Sequence, residues 1–170
     1  MASQWYSLVS QKLFLARTLL GQIDAPVEPS EVTAASEPEQ ALRREAIIQG
    51  ATELMLRSRK LVLVMIARFY QHKQDDPSSL EQLAALIGED AREVDRLREL
   101  EKMAGSWWNH LDQLEAVQGR PSAQRKTVSA ENIIAVAADT GPDRSAAALH
   151  KTLTAMKNFA DNLEEQHSEW

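Results

Sequence analysis

Four histidines, His72, His110, His150 and His167, are the side chains of this sequence whose type best suits proton transfer or metal binding. Glu164 and His167 have the Glu-x-x-His spacing that supplies half of a di-iron carboxylate site in a helical bundle. The full site needs a second such pair and two further inward carboxylates. The other histidines do not provide the pair, because Phe69, Trp107 and Ala147 stand three residues before them. No metal and no cofactor are therefore expected. His167 is read instead as the end of an inner helical stripe, close to the negative end of that helix's dipole. Arg144 and His150, separated by five residues, place a cation and a proton carrier near one another in sequence. Twelve arginines and four histidines in one chain make such a spacing common by chance. The favoured reading is an exposed arginine at a helix start and an ordinary histidine.

Other chemistries are missing from the sequence. There is no cysteine, so thiolate metal sites, disulfides and a cysteine nucleophile do not arise. Neither the Gly-x-x-x-x-Gly-Lys-Ser/Thr nor the Gly-x-Gly-x-x-Gly phosphate loop occurs. No serine sits in Gly-x-Ser-x-Gly. The paired acids Asp75-Asp76 and Glu164-Glu165 fall in a turn and near a helix end, where carboxylates are ordinarily solvated. An enzyme is not expected.

Two features suit binding. Arg57, Arg59, Lys60, Arg68 and Lys73 form a run of positive charge with no acid between Leu54 and Gln74. Arg57, Lys60 and Arg68 define a narrow polar stripe that an anionic partner could use. Arg120, Arg125 and Lys126 could join it. The competing and favoured account is internal, with acidic segments of the same chain neutralising the stripe. Trp107 and Trp108 are neighbours on one helix and differ by 100°, so either a wide apolar arc takes both or one of them leaves the core. Trp108 is the candidate to reach a flank or a partner surface, where tryptophans often anchor binding.

These residues must be positioned by helices. Apolar residues recur at three- and four-residue steps over Ser3–Ile23, then again from about Pro38 to His72. The second segment is apolar on most sides, which predicts a central helix surrounded by neighbours. Arg59 lies between its two apolar arcs and, if buried, needs a carboxylate partner. Ser78 and Glu81 form a capping box ahead of a short helix, LEQLAALI, closed by Gly88. A long helix is expected from about Asp90 to Gln118, with Val94, Leu97, Leu100 or Met103, Ala104, Trp107, Leu111, Leu114 and Val117 as its seam and Gly105 inside it. A short helix is expected over Ala130–Asp139, and a last one from about Pro142 to Glu169 with Ala146, Leu149, Leu153, Met156, Ala160, Leu163, His167 and Trp170 inward. Trp5 and Trp170 are expected to dock near the chain ends. Residues 24–39 form an acidic linker with three prolines, five acids and no base, and residues 119–129 form a basic one. The sum is one all-α domain over residues 1–170, a bundle of four long helices and two short ones.

Net charge and composition limit the partners. The chain has 170 residues and a formal charge of −6, against the positive charge usual in nucleic-acid-binding domains. Its longest apolar run, Leu61–Ala67, is far short of the ~20 residues that span a bilayer. Lys12 and Arg17 interrupt the first apolar stretch, unlike a secretory signal. A cytoplasmic location is expected.

The runs Tyr6-Ser7, Gln11-Lys12-Leu13-Phe14 with Ala16, Gln40-Ala41 with Arg44-Glu45-Ala46, Phe69-Tyr70, Leu163 and the closing Glu169-Trp170 resemble a family of small uncharacterised bacterial proteins found in pseudomonads and their relatives. The resemblance implies an all-helical, cytoplasmic protein and brings no activity with it. The sequence departs from that pattern between Leu54 and Ala67, where it is more basic and more aliphatic, and in the linkers. Separately, Arg144 and His150 fit the Arg-x4–6-His pattern of the helical HEPN ribonucleases, which carry it at the start of a final long helix. The expectation is a non-enzymatic interaction module with a protein partner or self-association. The alternative is a nucleic-acid-directed module using Arg144 and His150.

Overall fold

The structure is a computed structural model that describes residues 3–24, 37–121 and 141–168. Among these it is all α, with six helices: α1 (Gln4–Asp24), α2 (Glu37–Phe69), α3 (Leu80–Ile87), α4 (Arg92–Lys102), α5 (Trp107–Gln118) and α6 (Ala146–Ser168). Residues 25–36 of the acidic linker, residues 122–129 of the basic one, the helix expected at Ala130–Asp139, and Trp170 lie outside the described residues.

α2 runs for 33 residues and packs against α1, α3, α5 and α6. Its stretch Leu61–Ala67 is buried throughout. Continuous burial follows from having neighbours on several sides. α1 supplies Val9, Leu13, Ala16 and Leu20 to this core, and α6 supplies Leu149, Leu153, Met156, Phe159, Ala160 and Leu163. Most of the inward stripe expected for α6 is thus in place.

The helix ends explain the differences from the expected boundaries. α2 stops at Phe69 because Gln71 takes a left-handed conformation (φ 68°). The His72 amide then donates to the Ala67 carbonyl and the Gln71 amide to that of Arg68, the paired bonds of a Schellman cap. α3 begins one residue later than the expected capping box: Ser79 Oγ accepts the Gln82 amide at 3.3 Å, while Gln82 Oε1 accepts the Ser78 amide at 2.8 Å. α6 begins at Ala146 because Ser145 Oγ accepts the Ala148 amide, and Asp143 Oδ1 accepts that of Ser145.

The helix expected over 90–118 is two helices. Gly105 has φ 78°, outside the right-handed helix. Ser106 then caps α5 by accepting the Asn109 amide at 3.0 Å, and its hydroxyl donates to the Leu100 carbonyl at the end of α4. The break turns Met103 out, 57% exposed, and exposes Ala104. Val117 is exposed as well, so three of the expected seam positions are not core.

The N-terminus is tied to α6. Glu164 accepts the Ser3 amide at 2.6 Å and its hydroxyl at 3.0 Å. The Tyr6 hydroxyl donates to Asp161 at 2.8 Å and accepts from Lys157 at 3.0 Å. Burial works against the charge on Lys157, but the bonds to Asp161 and Tyr6 outweigh it and hold its pKa above the ordinary lysine value. Trp5 docks as expected, half-buried beneath the Arg68 guanidinium at 4.8 Å. No helix among the described residues is long and apolar enough to cross a membrane.

Candidate functional site

The packing of α2 divides the basic run between two fates. Arg59 is buried. Its Nη1 donates to Asp112 Oδ1 and its Nη2 to Glu115 Oε2, both at 2.5 Å, and its guanidinium lies 5.0 Å from the centre of the Trp108 ring. This is the carboxylate pairing that the sequence demanded. Arg68 is half-buried and donates to Asp76 Oδ1 and to the carbonyls of His72 and Asp75. It closes the C-terminal end of α2 and is not available as a binding cation. Arg57 and Lys60 are exposed and form no ion pair or hydrogen bond with another described residue; residues 25–36 of the acidic segment that could neutralise them lie outside the described residues.

Arg57 and Lys60 stand three residues apart, hence on one face of α2. With Glu53 one turn earlier and Leu56 between them, they line one side of a cleft of about 290 Å³. Glu115, Gln118 and Gly119, at the C-terminal end of α5, line the other. Glu115 is held by Arg59, which fixes that wall against α2. Gln118 Oε1 is buried and has no hydrogen-bond donor among the described residues. The cleft therefore presents two cations that pair with no other described residue. Cations of this kind suit an anionic group, and the Glu53 carboxylate stands on the same wall.

Trp108 is not at a partner surface. Both Trp107 and Trp108 are 5% exposed, packed edge to face with centroids 5.4 Å apart. The apolar arc of α5 is wide enough for both because Arg59 covers Trp108 while Phe159 of α6 meets Trp107 at 5.4 Å.

The histidines are engaged at separate points. His167 Nε2 lies 3.1 Å from Glu93 Oε1, and its ring stacks on Phe69 at 4.2 Å. Glu93 is 5% exposed, and its second oxygen accepts the Tyr70 hydroxyl at 2.5 Å. Burial by itself would raise the Glu93 pKa. The bonds from Tyr70, from its own backbone and from His167 prevail and hold it below the ordinary carboxylate range. Glu164 faces Ser3 rather than His167's partner, so the Glu-x-x-His spacing assembles no common site. Among the described residues no group of three metal-ligating side chains converges.

Arg144 is spent on Glu45 at 2.5 Å, a bond that lowers the Glu45 pKa. His150 is half-buried on α6. Sequence reasoning missed one pairing. His110 Nδ1 lies 2.6 Å from Thr152 Oγ1 and its Nε2 lies 2.9 Å from the Asp143 carbonyl. A hydroxyl beside an oriented imidazole has the form of a nucleophile and its base. Thr152 is only 5% exposed, however, and the pair instead anchors the start of α6 to α5. A histidine and a threonine 42 positions apart give no spacing signal.

The chain belongs to the family of unknown function DUF6586, which matches it over residues 1–170. No curated protein and no solved structure matches it.

Proposed function

We propose that this member of the DUF6586 family is a non-enzymatic helical interaction module that holds a protein partner at the cleft between α2 and α5. The observation that carries the reading is the contrast within one helix. Arg59 and Arg68 are neutralised by carboxylates of their own chain, whereas Arg57 and Lys60 are exposed beside a polar cleft and pair with no other described residue. Exposed charges beside a cleft suit a partner that arrives from outside, where they set orientation and encounter rate. Arg68 drops out of the binding set, and Trp108 with it, because both support the fold. The nucleic-acid alternative draws less support, since Arg144 is paired with Glu45 and the overall charge is −6.

The test is paired affinity capture from the cells that make the protein, using wild type and Arg57→Glu/Lys60→Glu as baits. The expected result is a protein that wild type retains, that the variant loses, and that rebinds wild type once purified. Equal recovery on both baits contradicts the reading.

A further inference from the structure

We draw no further inference here: the strongest candidate, the side-chain cluster where His167 at the end of α6 meets the buried Glu93 of α4 and Tyr70 beyond the end of α2, belongs to the helix contact already described, with both Glu93 oxygens taken by those two side chains, and nothing in the structure shows a ligand that would reach it.

Discussion

Two arginines two positions apart on α2 have opposite roles, and neighbours decide which. Arg59 points into the contact with α5, where Asp112 and Glu115 meet it; those side chains are 42% and 48% exposed. Arg59→Ala should therefore cost about 2–3 kcal/mol in urea unfolding, below the figure for a fully buried pair because the freed carboxylates rehydrate, with loss of the contact to Trp108 included. Arg57→Ala should change stability by less than about 0.5 kcal/mol, as at other exposed surface positions. A stability loss at Arg57 equal to that at Arg59 would refute the division. Glu93 gives a pH prediction. Its folded pKa lies below the ordinary carboxylate value, so its contribution is present above that ordinary value and disappears as pH falls through the lowered one. Tyr70→Phe removes its strongest donor and should cost about 1–2 kcal/mol near neutrality. Acid unfolding should then move to higher pH, which circular dichroism along an acid titration reads directly. The same contact opposes tyrosinate: burial first, and then the Glu93 carboxylate, push the Tyr70 pKa up to about 12. A spectroscopic titration of tyrosinate should show one late-ionising tyrosine that is missing in the phenylalanine variant.

At the scale of elements, the turns carry the energetic choices. Gly105 and Gln71 both have positive φ, and they make opposite predictions. Nothing lies within 4 Å of a Cβ built on Gly105, so Gly105→Ala meets only backbone strain and should cost about 1 kcal/mol. Gln71→Gly relieves that strain at the end of α2 and should stabilise by up to about 1 kcal/mol after the entropy of the added glycine is counted. Thermal melts of the two variants that moved in the same direction would contradict the assignment. These turns also show what the sequence made legible. Periodic apolar spacing marked α1, α2 and α6, because steps of three and four persist there over five or more turns. The break at Met103–Ser106 was hidden because the same steps run on through Met103 and Ala104. The signal that would have found it is Gly105 followed directly by Ser106, a left-handed residue and then an N-cap. The capping box was displaced by one for a similar reason: Ser78 and Ser79 are equally good caps in sequence, and only the position of Gln82 separates them.

At the scale of the molecule, the burial of α2 was legible and its consequences were not. An apolar surface on most sides required neighbours, and α1, α3, α5 and α6 provide them. The partners of Arg59 are 53 and 56 residues away, too far for any spacing rule to pair them. The adjacent tryptophans left two readings open for a related reason: helical geometry separates them by 100°, and it is a buried arginine from another helix, extending the core over the second, that decides for the wide arc. The cleft itself exists only where α2 meets the end of α5. Two of its cations were visible in sequence as a stripe, while Gln118 and Glu115 had no mark of a site. The central claim is that the partner docks on this face. Hydrogen exchange of the full chain with and without the partner recovered by affinity capture tests it most directly. Slower exchange confined to residues 53–60 and 115–119, and lost in Arg57→Gln/Lys60→Gln, is the predicted result. Protection centred on Arg144 and His150, with residues 53–60 unchanged, would contradict it.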